Sequence, residues 1–160
     1  MTDIRIDLAM DLFQKAHMLQ TQGDLDLAVD LYKQSIKTFP TAEAYTFLGW
    51  TYRFQGKLFE AIAECKNAIA VDPSFGNPYN DIGAYLMELD KPAEAIPWLE
   101  KATRCARYEA YHYPWYNLGR AYMTLELFKK ARECFERSLE FDPQYPLAAE
   151  GLRRVRMLVQ

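Results

Sequence analysis

Few residues in this chain are of the types that carry out chemistry, and none stands at the spacing that a reactive site needs. The 160 residues include two histidines and three cysteines. His17 has no cysteine or carboxylate one helical turn further on, and His112 follows Cys105 at no common metal-ligand spacing. No serine lies in a G-x-S-x-G sequence, and no glycine-rich phosphate loop is present. The sequence therefore predicts a protein that is not an enzyme and that binds no metal or cofactor.

The cysteines and the composition favour an intracellular protein. Cys65, Cys105 and Cys134 are odd in number and form no C-x-x-C pair, so we expect buried, reduced thiols within helices. The first residues carry acidic side chains within their apolar run, which argues against a signal peptide, and no apolar segment reaches membrane-spanning length. The net charge of −3 and the pI of about 5.5 argue against a nucleic-acid partner. We therefore expect a cytoplasmic protein that does not insert into membranes.

One stretch, Ala42–Pro73, shows how the helices are arranged. Tyr45, Leu48 and Tyr52 recur at steps of three and four residues, which predicts an apolar stripe on a first helix. A similar stripe follows the turn at Gly56 and predicts a second helix, which a proline then ends. The small residues of the stretch stand where two helices would have to approach closely.

These residues resemble the W-L-G-Y…A…F…A…P pattern of the tetratricopeptide repeat. The resemblance implies that Gly49 and Ala61 mark the crossing of an antiparallel helix pair. It also implies the fold class, which is an all-α, right-handed α-solenoid of four tetratricopeptide (TPR) helix pairs with a C-terminal capping helix.

The repeats account for nearly the whole chain as a single domain, residues 1–160. They span about 9–41, 42–75, 76–111 and 112–145, and the capping helix spans about 146–159. The first helix is expected to begin near Asp3, a suitable N-cap. Gly119 follows Gly83 by 36 residues, against 34 between Gly49 and Gly83, so the fourth repeat starts late. We expect the extra residues, in the run YEAYHYPWY, to place an aromatic surface of Tyr108, Tyr111 and Tyr113 beside the binding groove.

The resemblance further implies that the first helix of each pair lines a concave groove that binds a peptide. Most residues at the corresponding positions are aromatic residues, methionine, arginine or amides, which are common at protein interfaces. The predicted groove consists of Phe13, His17, Thr46, Trp50, Arg53, Phe54, Asn77, Asn80, Met87, Tyr113, Tyr116, Arg120 and Met123. For Phe13, Phe54 and Tyr113, packing between neighbouring helices is an equally good interpretation.

One subtype of the family binds the acidic EEVD-type tails of heat-shock chaperones through a clamp of lysines, asparagines and an arginine. In one register the clamp positions of this chain hold Phe13, His17, Phe47, Asn77 and Asp81. In the other they hold Thr46, Trp50, Asp81, Tyr113 and Asn117. Neither set makes a clamp, so the sequence argues against chaperone tails as partners.

The sequence thus predicts a protein-interaction adaptor or scaffold that binds a peptide segment with apolar anchors in the concave groove. Two alternatives stay open at this stage. One is a structural unit that assembles with copies of itself into a homo-oligomer, and the other is a chaperone for apolar client proteins. The residues do not identify the protein or peptide that binds.

Overall fold

The computed structural model describes residues 3–159, and in that part of the chain nine α-helices follow one another through turns and short loops. The helices are α1 (Ile4–Thr21), α2 (Leu25–Thr38), α3 (Ala42–Phe54), α4 (Leu58–Val71), α5 (Asn77–Glu88), α6 (Pro92–Ala102), α7 (His112–Thr124), α8 (Phe128–Phe141) and α9 (Pro146–Leu158). By their contacts the residues divide into two compact units, Met1–Pro78 and Tyr79–Gln160.

Local sequence signals set where several helices begin. Asp3 caps α1 as predicted, because its carboxylate accepts the Arg5 backbone N–H at 3.0 Å. Asp24 caps α2 and Thr41 caps α3 in the same way. Prolines occupy the first turns of α6 and α9, where the missing N–H costs nothing.

In the first unit, α1 pairs with α2, and α3 pairs with α4. The core between these helices includes Ala16, Ala28, Tyr32 and Leu48, all buried. Gly49 lies at the α3–α4 crossing, where an added Cβ would meet the Ala61 carbonyl oxygen at 2.9 Å. The predicted crossing point is therefore present, and it requires a residue without a side chain.

Two buried serines tie the helices of a pair together. The Ser35 hydroxyl on α2 donates to the Ala9 carbonyl on α1 at 2.7 Å. The Ser138 hydroxyl on α8 donates to the His112 carbonyl on α7 at 2.8 Å. Both hydroxyls thus serve to join the two helices of a pair.

In the second unit, residues 103–111 form the connection between α6 and α7. Tyr108 and Tyr111 are half-buried there: their rings meet edge to face at 5.3 Å, and Tyr111 also packs on Phe141 of α8. The Tyr111 hydroxyl donates to the Cys105 carbonyl. The expected surface of three tyrosines is therefore wrong for Tyr108 and Tyr111, which hold the connection against the helices, and only Tyr113 remains exposed.

The cysteines and Trp115 complete the packing. All three cysteines are buried and outside any disulfide, and burial raises the pKa of Cys134 to about 12, so its thiol stays protonated at neutral pH. Trp115 is half-buried, with the Arg137 guanidinium 5.8 Å from its ring.

Candidate peptide-binding surfaces

A row of five rings crosses α1 and α3 in the first unit, and we call it the first aromatic surface: Phe13, His17, Phe47, Trp50 and Phe54. Phe47 stands at its centre, 5.3 Å from both Phe13 and His17 and 5.8 Å from Trp50. Trp50 in turn lies 5.3 Å from Phe54. Each ring therefore supports the next in the edge or tilted geometry that aromatic pairs prefer.

One end of the first aromatic surface is anchored and the other is open. Phe13 packs on the buried Tyr32 at 5.6 Å. Trp50 and Phe54 are 42% and 49% exposed, and the Arg53 guanidinium lies 5.3 Å from the Phe54 ring. The exposed rings are thus held by neighbours before any ligand arrives, which lowers the entropy cost of binding.

An apolar cavity of about 250 Å³ adjoins Phe13 in the same unit. Its walls include Ile6 and Met10 of α1 and Phe39, which follows α2. A cavity of this size and lining suits one large apolar side chain.

The structure corrects the predicted role of Thr46. Only 4% of Thr46 is exposed, and its hydroxyl donates to the Ala42 carbonyl one turn earlier at 2.7 Å. Its side chain is therefore part of the helix packing and does not line an open groove. Phe47, the next residue, was missed by the sequence reasoning, although it lies one helical turn before Trp50 on the same face of α3.

In the second unit the predicted amide Asn80 is engaged by other residues of the protein. Asn117 donates from Nδ2 to Asn80 Oδ1 at 3.0 Å, and Arg120 donates from Nη1 to Asn117 Oδ1 at 3.2 Å. Asn80 is 9% exposed and Asn117 is also buried. The Oδ1 atom of Asn80 is therefore engaged within the protein, and the Asn80–Asn117 pair positions Arg120.

Tyr145 organises the tyrosines of the second unit. Its ring lies 5.3 Å from Tyr116 and 5.6 Å from Tyr113, and Tyr116 reaches Phe135 at 6.0 Å. Burial raises the pKa of Tyr145 to about 12, so its hydroxyl stays neutral. The sequence reasoning missed Tyr145, which lies just before α9.

A channel of about 440 Å³ runs between α7 and α9, and we call it the α7–α9 channel. Phe135 of α8 forms part of its wall. Its other lining residues are Tyr116, Arg120, Met123, Thr124, Leu147, Glu150, Gly151 and Arg154. The sequence reasoning treated α9 only as a cap and missed its contribution. The signal was available, because Leu147, Gly151 and Arg154 recur at steps of four and three residues on one helix face.

The predicted residues therefore fall into two groups. Five of them belong to the first unit, where they form or adjoin the first aromatic surface: Phe13, His17, Trp50, Arg53 and Phe54. Five more belong to the second unit, where they contact neighbouring side chains or line the α7–α9 channel: Asn80, Tyr113, Tyr116, Arg120 and Met123. Asn77 is exposed at the start of α5, and Met87 is half-buried near the end of that helix.

Residues 3–159 lack two features. They contain no group of three or more His, Cys, Asp or Glu side chains placed to hold a metal ion. Among the same residues, no helix has the length and apolar character needed to cross a membrane.

Two family models, both described as tetratricopeptide repeat, match residues 13–78 and 112–145. Together they cover more than half of the chain. Among curated proteins, "Protein SGT1 homolog" of Oryza sativa subsp. japonica is 36% identical over 93 residues, which is 58% of this chain and 25% of that protein. The chain thus spans about a quarter of the length of this relative.

Solved structures agree with the helix-pair architecture. The Pseudomonas aeruginosa pilF structure superimposes with a TM-score of 0.89 at 21% identity and covers 96% of this chain and 69% of its own. The first tetratricopeptide domain of Spaghetti (RPAP3), bound to the HSP90 peptide SRMEEVD, gives a TM-score of 0.69 at 25% identity and covers 74% of this chain and 93% of its own.

Proposed function

The chain belongs to the tetratricopeptide repeat family, and from that premise we propose that it is a protein-interaction adaptor whose partners carry large apolar anchor residues. The observation that carries the proposal is the first aromatic surface, in which Trp50 and Phe54 are exposed although the neighbouring rings hold them in place. Exposed, pre-positioned aromatic side chains are the residues that dominate binding energy at protein interfaces.

The energy of binding comes mainly from removing apolar surface from water. Burial contributes about 25 cal/mol per Å² before the costs of association are subtracted. The cavity beside Phe13 offers a second place for an apolar side chain in the same unit. We therefore expect a ligand with two or three large apolar residues, and weak salt dependence of its affinity for the first unit.

Acidic chaperone tails lie outside this proposal. The Spaghetti domain is bound to SRMEEVD, but no clamp position of this chain holds a lysine or an arginine. Phe13 packs within the first aromatic surface, and Thr46 is buried. Neither supplies the cationic or amide donors that a carboxylate-rich tail needs.

We also propose that the protein is not an enzyme and acts in the cytoplasm, where thiols such as its three buried cysteines stay reduced. Chaperoning of apolar clients would use the same aromatic side chains. A chaperone would bind many unrelated sequences, whereas an adaptor would bind few. The number of distinct peptide sequences that bind therefore distinguishes the two functions.

The first prediction tests which side chains supply the binding energy. Affinity capture from the native cell extract supplies a partner, and calorimetry then compares variants at low and high salt. Trp50→Ala or Tyr116→Ala should weaken binding by at least about 1–2 kcal/mol, because both remove aromatic area from a binding surface. Arg53→Ala should matter less.

Phe59→Ala provides the matched control, since Phe59 is an exposed aromatic on α4 outside both surfaces. The proposal fails if Phe59→Ala weakens binding as much as Trp50→Ala does. It also fails if affinity falls steeply with salt and Arg53→Ala has the largest effect, because the surface would then recognise charge.

A further inference from the structure

The α7–α9 channel owes its form to two glycines that face the same ring. A Cβ added at Gly119 would lie 2.5 Å from Phe135 Cε1, and one added at Gly151 would lie 2.6 Å from the same atom. The helices α7 and α9 therefore converge on Phe135, whose ring is one apolar wall of the channel. Met123 and Leu147 extend the apolar lining on either side.

The length of the channel suits a short extended segment. Its lining on α7 runs from Tyr116 to Thr124, and a helix rises 1.5 Å per residue, so the channel is about 12 Å long. An extended chain advances about 3.3 Å per residue, and alternate side chains point to the same side. Three or four residues of a ligand thus fit, and two of their side chains, at positions i and i+2, enter the channel together.

The charges of the channel favour an anion. In the described part of the chain, neither Arg120 nor Arg154 forms an ion pair with an acidic side chain. The lining carboxylate, Glu150, is already held by Arg153, which donates from Nε at 2.9 Å and from Nη2 at 2.6 Å. Arg120 makes its hydrogen bond to the neutral amide of Asn117. Two guanidinium groups are therefore left with unused donors beside an apolar wall.

We propose that the α7–α9 channel binds an extended internal segment in which a large apolar residue and an aspartate or glutamate stand two positions apart. The apolar side chain packs against Phe135, Met123 and Leu147. The carboxylate accepts hydrogen bonds from Arg120 and Arg154. This inference rests on the proposed adaptor function and adds one defined charge to its apolar anchors.

The test uses an array of blocked hexapeptides, acetylated at one end and amidated at the other, and a parallel set of the same peptides with a free C-terminus. Each peptide carries Phe, Leu or Ser at one fixed position and Glu or Gln two residues later, with the remaining positions mixed. Fluorescence polarisation of the strongest peptides with the full chain should show Glu peptides binding at least about fivefold more tightly than their Gln counterparts, because a charged acceptor strengthens hydrogen bonds from guanidinium groups.

The variants identify the side chains responsible. The double substitution Arg120→Gln and Arg154→Gln should abolish the difference between Glu and Gln peptides, while the preference for Phe or Leu over Ser stays. Arg156→Gln is the matched control, since Arg156 is an exposed arginine of the same helix that does not line the channel. Glu150→Gln should strengthen binding of Glu peptides, because it removes the carboxylate that lines the channel beside Arg120 and Arg154. Circular dichroism melting confirms that each variant is folded.

The outcomes separate this inference from the proposed function. Equal binding of Glu and Gln peptides, or a difference that survives the double substitution, overturns the carboxylate site. Preference for peptides with a free C-terminus over the blocked Glu peptides overturns the internal segment in favour of a chain terminus. In each case the adaptor function is still supported if the protein prefers peptides with Phe or Leu and if Trp50→Ala or Tyr116→Ala removes that preference. If no apolar peptide and no captured partner binds, the adaptor function itself fails.

Discussion

At the scale of single residues, Asp81 is the side chain whose environment conflicts most with its charge. It is half-buried on α5, and burial raises the pKa of its carboxyl to about 7. Among the described residues it has neither an ion pair nor a hydrogen bond to compensate. Burial also raises the pKa of Tyr108, and the charge of Asp81 adds to that effect. The Asp81 carboxyl and the Tyr108 hydroxyl therefore both favour their protonated, neutral forms.

This environment predicts a pH-dependent stability. Between the unfolded pKa near 3.8 and the folded pKa near 7, the folded protein keeps a proton that the unfolded chain has lost. The free energy of unfolding should therefore fall as pH rises through this window and level off above it. Asp81→Asn removes this ionisation. The free energy of unfolding of the variant minus that of wild type should therefore be at least about 1 kcal/mol more positive at pH 8 than at pH 5.

Urea unfolding at the two pH values measures this difference. Asp11→Asn, which removes an exposed carboxylate of α1, is the control and should show no such change. A constant offset between Asp81→Asn and wild type at both pH values would mean that the Asp81 carboxyl titrates normally in the folded protein.

Residues of this kind also show where prediction from sequence stops. Helical spacing placed Thr46 and Asn80 on the groove side of their helices. It could not show that the Thr46 hydroxyl bonds its own helix or that Asn117 engages the Asn80 amide. Both interactions depend on the depth at which a side chain lies, which a helical periodicity does not give.

At the scale of elements, the spacing of glycines sets how closely the helices approach. Gly49, Gly83 and Gly119 each face a side chain of the following helix, which is Cys65 for Gly49, Leu99 for Gly83 and Phe135 for Gly119. In the fourth repeat the ring is also covered by Gly151 of α9. One aromatic side chain therefore sets the spacing of three helices.

Gly119→Ala should consequently destabilise the second unit by about 1–3 kcal/mol, because the new methyl group overlaps the Phe135 ring. Phe135→Ala alone should cost about 3–5 kcal/mol through lost packing. Combined, the two should cost at least about 0.5 kcal/mol less than their sum, since removal of the ring makes room for the methyl group. Denaturant unfolding of the four proteins of this cycle measures the coupling, and strict additivity would show that Gly119 and Phe135 do not press on one another.

The order of the elements followed from the sequence to a large extent. The stripes around Tyr45, Leu48 and Tyr52 and the small residues Gly49 and Ala61 predicted a helix pair that the structure contains. The contribution of α9 to a binding channel was not predicted, because a cap and a channel wall share the same amphipathic pattern. The inward packing of Tyr111 was missed since loop conformation has no such period.

At the scale of the whole molecule, the predicted fold class of an all-α tetratricopeptide solenoid is confirmed by the family matches and by the superposition on pilF. The partner could not be predicted, because a repeat pattern records how helices pack on each other. In our proposals the ligand is recognised by residues that the pattern leaves variable, such as Trp50 and Arg154.

The terminal helices expose apolar side chains that bear on self-assembly. Ile4 and Leu8 are exposed on α1, and Met157 and Leu158 are exposed on α9. Such side chains are scattered on most protein surfaces, and an adaptor needs no copy of itself to cover them.

We therefore predict a monomer. Gel filtration with light scattering should give a mass near 18.7 kDa that does not change between about 5 and 200 µM, where a weak self-association would be detected. The self-assembling unit would be supported instead if the mass rises with concentration and if replacing Ile4 and Leu8 by serine restores the mass of the monomer.

On the role that we propose for the α7–α9 channel, the place of Phe135 also makes the protein suitable for engineering orthogonal pairs. Because its ring is both a helix spacer and a channel wall, trimming it to leucine opens a hole that a designed peptide can fill with a bulkier unnatural side chain, such as naphthylalanine. The enlarged side chain would clash with the unmodified ring. Receptor and peptide would then recognise each other without cross-reacting with the natural pair, and a sensor could be built from the two.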